Sequence, residues 1–283
     1  LSSDDEFPLG PNGPVFAAIA HDGNLIVGGR FQTAGGILAD GIASWDGTSW
    51  SALGSGTKGA ATAMTVYNDN LVVGGLDGEA LGKGFNGIAS WDGSLWSPIG
   101  SSLSGGGAPF VWALTPFNDA LIAGGEFLTA GGVTVNYIAS WNGLAWSPLG
   151  TGLTGPVLAL AVWDNTLVAG GLFRSADGIS VDNIACWNGS NWAPLGAGLN
   201  GPVRALTVYD GRLIAGGDFT AAGAQECNHI ASWDGSRWSS MKSGMNGRVQ
   251  ALAVFQDELI AGGHFSEAGG TRAKKIASVQ AFP

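Results

Sequence analysis

The sequence predicts an all-β protein: a six-bladed β-propeller of four-stranded antiparallel blades, with residues 1–283 forming one domain. Three observations carry this. Paired glycines close an apolar run at Gly28-Gly29, Gly74-Gly75, Gly124-Gly125, Gly170-Gly171, Gly216-Gly217 and Gly262-Gly263, at spacings of 46, 50, 46, 46 and 46 residues. A fixed period of this size marks a repeat architecture. Asp-Gly and Asn-Gly pairs, which favour tight hairpin turns, separate the short apolar runs. Finally, 49 glycines and 12 tryptophans accompany only 12% charged residues, a composition suited to many short strands joined by turns.

The fifth repeat shows the elements in order. Val203 to Val208 (VRALTV) is the first strand, ending at the Asp210-Gly211 turn, and Leu213 to Gly217 (LIAGG) is the second. Ile230 to Trp233 (IASW) is the third, and the fourth begins at Trp238 after Asp234-Gly235. One such meander has two apolar faces and cannot bury both alone; units stacked about an axis can, which is the logic of a propeller. The 50-residue interval reflects extra residues in the Gly105 to Pro109 loop.

The last repeat stops after its third strand, Ile276 to Val279. Phe7-Pro8-Leu9-Gly10 reads like Ser147-Pro148-Leu149-Gly150, a fourth-strand segment, and Asn12-Gly13-Pro14-Val15 matches Asn200-Gly201-Pro202-Val203. The expectation is a ring closed by an N-terminal strand that completes the last blade, leaving no exposed sheet edge.

An apolar strand ending in Gly-Gly, with a tryptophan ending the third strand and another a few residues later, resembles the kelch repeat. The form LIAGGxF…AGG…IAxWDGxxWxPLG is similar to the kelch-like repeats of bacterial secreted and surface proteins and of the propellers of fungal cortical polarity markers. The resemblance covers essentially the whole chain and implies a fold; propellers host binding, scaffolding and enzymatic roles alike. Kelch proteins usually carry tyrosine where this chain has Trp45, Trp91, Trp141, Trp187 and Trp233. The copper ligands and Tyr-Cys crosslink of galactose-oxidase relatives find no counterpart among Tyr67, Tyr137, Tyr209 and three scattered histidines.

Shared residues are read first as structure. The ten paired tryptophans recur at one place per full repeat, which argues for packing between blades rather than a sugar-stacking array. The Gly-Gly pairs lack the helix and lysine of a phosphate loop and point to a bulge or close backbone approach. No cofactor is expected. Asp22, Asp69, Asp119, Asp164, Asp210 and Asp257 are the residues that raise structural Ca2+, but they fall one per hairpin, as turn chemistry requires.

Net charge of −10 with only 12 Lys plus Arg argues against a nucleic-acid partner. The apolar runs are too short to span a bilayer, so membrane insertion is not expected. The chain opens on Leu1, compatible with a processed, secreted or cell-surface protein, and a monomer is expected. Cys186 and Cys227 form no metal motif; they read as two semi-buried thiols, with a single bridge as the alternative.

Function is sought where repeats disagree. The second residue of the first strand is Phe16, Thr62, Trp112, Leu158, Arg204 and Gln250 in turn; the residue after Gly-Gly is Arg30, Leu76, Glu126, Leu172, Asp218 and His264. Strand alternation puts both sets on one face, around the mouth of the central channel. A few polar groups in an apolar concavity suit a small-ligand site, so Phe16, Arg30, Trp112, Glu126, Arg204, Asp218 and His264 are the candidate ligand-binding residues. Tyr137, Asn183, His229, Arg272, Lys274 and Lys275 are secondary candidates from the long loops of the same face.

The first functional expectation is a non-catalytic binding or adhesion module for a small molecule, glycan or protein. The second is a lyase, hydrolase or cyclase, for which Asp218 and His264, in neighbouring repeats, form the acid/base pair; such a pair works only within about 3 Å or through a shared water. The third is a purely structural propeller within a larger surface protein.

Overall fold

The computed structural model describes residues 10–80, 85–105 and 110–279, the side chains of 76–80 and 85–86 aside. Strands account for the regular structure, and no helix occurs among the described residues. The chain divides into two compact units, Leu1–Thr134 with Ser140–Ser147, and Val135–Ala139 with Pro148–Pro283.

In the first unit, repeat 1 forms a four-stranded sheet from Val15–His21, Asn24–Gly29, Ile42–Trp45 and Trp50–Ala52, in chain order. Repeat 2 does the same with Ala63–Tyr67, Asn70–Ala80, Phe85–Trp91 and Trp96–Pro98. The Phe110–Phe117 and Ala120–Glu126 hairpin of repeat 3 belongs to this unit too.

The second unit holds the sheet of repeat 4 (Val157–Trp163, Thr166–Gly171, Ile184–Trp187, Trp192–Pro194) and that of repeat 5 (Val203–Tyr209, Arg212–Gly217, Ile230–Trp233, Trp238–Ser240). Repeat 6 ends this unit with three strands, Val249–Phe255, Glu258–Gly263 and Ile276–Val279. The strands predicted for repeat 5 match to within a residue at each end. The predicted closing segment, residues 7–10, lies outside the described residues apart from Gly10.

Hairpin turns form as the Asp residues dictate. Asp22, Asp69, Asp119, Asp164, Asp210 and Asp257 all have positive φ, between 48° and 62°, a region that aspartate tolerates because its short side chain hydrogen-bonds locally. At the second turn type, Asp46 Oδ1 accepts the backbone N–H groups of Thr48 and Ser49, both at 2.7 Å. Asn142 and Asn188 perform the same task with neutral amides.

The Gly-Gly pair of repeat 5 has two separate reasons. In repeat 5, a methyl on Gly217 would overlap the Pro202 carbonyl oxygen of the same hairpin. That oxygen accepts the N–H of Asp218 at 2.9 Å. One on Gly216 would sit 2.6 Å from Cγ1 of Val249, on the next sheet. The second glycine thus admits its own first strand, and the first admits the valine of the following repeat.

The core lies between consecutive sheets of a unit. In the first, Ile26, Ile42 and Leu53 pack with Leu71, Val73 and Ala89. In the second, Val168, Ile184 and Leu195 pack with Val203, Leu213 and Trp238. Each large side chain so enclosed stabilises by roughly 1.5 to 3 kcal/mol.

The tryptophan pairs are packing elements, as their periodicity indicated. Ring centroids within each pair lie 5.2–5.4 Å apart. The second indole reaches into the preceding repeat: Trp96, Trp192 and Trp238 donate Nε1–H to the carbonyls of Leu53, Leu149 and Leu195 at 2.9–3.0 Å. Aromatics ending the first strand reach forward, Tyr67 to Asp119 O, Trp163 to Gly211 O and Tyr209 to Asp257 O, each at 2.9 Å.

Between the second and third strands the sequence showed only a loop. The structure contains a miniature hairpin there, for example Thr33–Ala34 with Ile37–Leu38 and Ala221–Ala222 with Gln225–Glu226. Its alanine and the phenylalanine before it are buried, as at Phe31/Ala34, Phe173/Ala176 and Phe219/Ala222.

Candidate functional site

The variable second residue of the first strand has a structural identity. In repeats 1, 3, 4, 5 and 6 the register shifts between Val15 and Ala17, Val111 and Ala113, Val157 and Ala159, Val203 and Ala205, and Val249 and Ala251. Phe16, Trp112, Leu158, Arg204 and Gln250 are therefore the extra residues of β-bulges opposite the glycine pair. A bulge leaves its extra residue unpaired and re-aims the side chain, which frees this position to vary between otherwise uniform neighbours. In repeat 2 the strand begins two residues later, at Ala63, and Thr62 Oγ1 instead donates to Val111 O at 2.5 Å.

The residue after the glycines begins the return toward the miniature hairpin. Arg30, Leu172, Asp218 and His264 each donate their backbone N–H to the residue preceding the first strand, at 2.8–2.9 Å. Bulge residue and post-glycine residue thus emerge side by side at one end of each hairpin.

Their side chains meet within repeats. Arg204 directs Nε and Nη2 to Oδ2 of Asp218 at 2.8 and 2.6 Å, both side chains about a quarter exposed. Phe110 stacks on Trp112 with centroids 5.3 Å apart, and the indole Nε1 of Trp112 is buried without a hydrogen-bond partner among the described residues. Glu126 pairs in register with Phe110. Phe16 is half exposed and Arg30 exposed.

The acid/base pair nominated from sequence, Asp218 with His264, is not joined: among the described residues the two share no hydrogen bond or ion pair. Asp218 is turned to Arg204 on its own hairpin, and His264 Nδ1 accepts from Arg248 Nε at 3.2 Å. In each case a cation two or fewer positions from the bulge is nearer than the neighbouring repeat.

The secondary candidates divide. Tyr137, Asn183, His229 and Lys275 occupy one repeated position with φ of 65–72°. There Asn183 is buried, donating Nδ2–H to Leu199 O at 2.7 Å, and His229 Nδ1 faces Gly217 O at 3.2 Å. Both serve the loop. Arg272 and Lys274 line a cavity of about 520 Å³ along the Ile276–Val279 strand with Met241, Met245 and Lys242. Cys186 and Cys227 are free thiols whose pKa is pushed up by burial. Among the described residues no cluster of three or more His, Cys, Asp or Glu is placed to hold a metal.

One class of residue escaped the sequence. The Asn or Thr of the N/T-G-P-V segment clamps the miniature hairpin: Asn12 Oδ1 accepts from Gln32 N and Thr33 N, Asn200 Oδ1 from Thr220 N and Ala221 N, and Asn246 Oδ1 from Ser266 N and Glu267 N, all at 2.9–3.0 Å. Thr154 Oγ1 does the same for Arg174 and Ser175. The signal was present as an Asn or Thr recurring before glycine, followed by proline in all but Asn246-Gly247-Arg248. Repeat 2 breaks it with Lys58, which has no acceptor to offer.

Repeated antiparallel meanders, each first strand beside its neighbour's within a unit, define a β-propeller. Residues 190–281 match the family model described as the Rax2 C-terminal beta propeller domain. The polarity-marker likeness drawn from the repeats is met by this match, over about a third of the chain.

Among solved structures the chain is similar to two crystal structures of the extracellular domain of BT4673 from B. thetaiotaomicron, described as a one-component and a hybrid two-component system. Identity is 12% and 11%, TM-score 0.62 and 0.52, and coverage 90% and 95% of this chain. The chain spans 32% and 38% of those two chains. It is also similar to the computationally designed Ika8 protein, at 19% identity and TM-score 0.53, covering 95% of this chain and 84% of that one. At these identities the likeness is one of fold. Among curated proteins no relative matches. No helix among the described residues is long and apolar enough to cross a membrane.

Proposed function

We propose that the chain is a non-catalytic recognition propeller, secreted or displayed at the cell surface, that holds a small molecule, glycan or protein ligand on the face from which the bulge and post-glycine residues emerge. The observation that carries this is the bulge itself: a position released from ladder and core in five hairpins carries phenylalanine, tryptophan, leucine, arginine and glutamine. Rigid strands presenting variable side chains are the usual means by which a repeat scaffold acquires a ligand surface. The extracellular setting of the BT4673 domains supports the same location.

We propose further that the six repeats are six blades of one ring, which would gather Phe16, Arg30, Trp112, Glu126, Arg204, Asp218 and His264 around a single mouth. The test is a glycan and peptide array probed with the labelled chain, repeated with Phe16→Ser and Arg204→Gln. Binding that falls at least tenfold in either variant supports the proposal. Binding indifferent to both, or turnover of an array substrate, overturns it.

A further inference from the structure

A cleft of about 530 Å³ in the first unit is lined by Asn12, Arg30, Gln32, Asp40, Gly41 and Lys58. Three departures from the repeat pattern accompany it. Gly41, with φ of 92°, stands where Tyr137, Asn183 and His229 carry side chains, and the place a Cβ would take there is filled by Thr57 Oγ1 and Gly59 O. Thr57 replaces the buried Leu153 and Leu199 of later repeats and folds the 57–59 backbone inward, its Oγ1 donating to Asp40 O at 3.2 Å or Gly59 O at 2.8 Å. Lys58 replaces the clamping Asn or Thr and is held at φ of 53°, its N–H on Asp40 O at 3.0 Å.

Two cavities of this acidic molecule gather cations, the one lined by Lys242, Arg272 and Lys274 and this cleft, whose lining also includes an aspartate. The chain carries a net charge of −10, and Arg174, Arg204 and Arg237 are each paired with an aspartate. Arg30 and Lys58 take part in no ion pair among the described residues, yet both line one cavity. With Asp40 they leave a single net positive charge, which a monoanion matches. A phosphate ester, with a charge of about −1.5 to −2 at neutral pH, would be opposed by Asp40. Asn12 and Gln32 contribute side-chain amides, and Asp40 an acceptor, for the hydroxyl groups of a polar ligand. The volume falls within the range of small-ligand sites, roughly 300 to 1,000 Å³.

We propose that this cleft binds the carboxylate of an acidic sugar, with Arg30 and Lys58 holding the anion and Asn12, Gln32 and Asp40 meeting the ring hydroxyls. The proposal rests on the recognition role above and names its ligand class. It is tested on the full chain by calorimetric titration with the methyl glycosides of glucuronic and galacturonic acid, of glucose, and with inorganic phosphate. Two variants borrow residues that other repeats carry at the same places and so retain the fold: Arg30→Leu, as at Leu172, and Lys58→Asn, as at Asn200.

A uronate should bind at least tenfold more tightly than the neutral glycoside and than phosphate, should weaken as salt is raised, and should lose at least tenfold in each variant. Equal binding of the neutral sugar, phosphate binding as tight as the uronate, unchanged affinity in Arg30→Leu, or no uronate binding overturns the assignment. If an array ligand is then found that ignores Arg30→Leu, the recognition role survives without it; if the array is also blank, both fail.

Discussion

At the residue scale, the glycine pair and the turn acids carry most of the specificity. Gly217→Ala would force a methyl against the Pro202 carbonyl oxygen and is expected to cost about 3 kcal/mol. Gly211→Asn, at a hairpin turn with open space around it and φ of 70°, should change stability by less than about 0.5 kcal/mol. Urea denaturation of both separates close approach from backbone conformation as the reason for glycine. The turn carboxylates Asp46, Asp92 and Asp234 are held well below the usual carboxylate range, first by the backbone N–H groups of Ser49, Leu95 and Arg237 and then by those of neighbouring turn residues with their hydroxyls. Because their folded pKa is depressed, their stabilisation is complete above the unfolded value of about 3.9 and is lost as pH falls below it. Replacing all three with asparagine, which Asn142 and Asn188 show to be a competent turn residue, should flatten the fall of Tm between pH 4 and pH 2 and leave Tm at pH 7 nearly unchanged. A fall as steep as in the parent chain would show that other acids dominate.

At the scale of the element, neighbouring repeats are fastened by an indole reaching back or a first-strand aromatic reaching forward, and repeats 4 and 5 by both. Trp238→Phe keeps an aromatic ring and removes one of two donors to Leu195 O, leaving it the N–H of Gly198 at 3.3 Å; losing that hydrogen bond should cost about 0.5 to 1.5 kcal/mol. Trp238→Ala, which also empties the space between repeats 4 and 5, should cost about 3 to 5 kcal/mol. Equal losses in the two variants would mean that the hydrogen bond, and not the packed ring, holds the repeats together. The strands and turns of these elements were legible because Asp-Gly and Gly-Gly occur where only a few residue types satisfy the backbone. The miniature hairpins were not, since two-residue strands leave no periodicity. They are maintained by Asn12, Thr154, Asn200 and Asn246, side chains from another part of the repeat.

At the scale of the molecule, the last sheet has three strands, and among the described residues the Ile276–Val279 strand has no partner on its outer side. We propose that residues 7–10 complete it. Deleting residues 1–10 should then lower stability by several kcal/mol, by loss of a paired strand, and unchanged thermal melting would remove the closure. What the sequence by itself determined is the repeat, its strands and the end of each hairpin at which repeats differ, because period, turn chemistry and glycine placement are local properties of the backbone. Tertiary structure alone decided which variable residues act together. Asp218 and His264 looked like partners by repeat arithmetic, yet charge attraction over a shorter path gave Asp218 to Arg204. At the cleft beside Arg30, Thr57 occupies the place that a side chain on Gly41, 16 residues away in the chain, would take. Contacts of that kind depend on side-chain volume across the fold, and spacing along the chain does not report them.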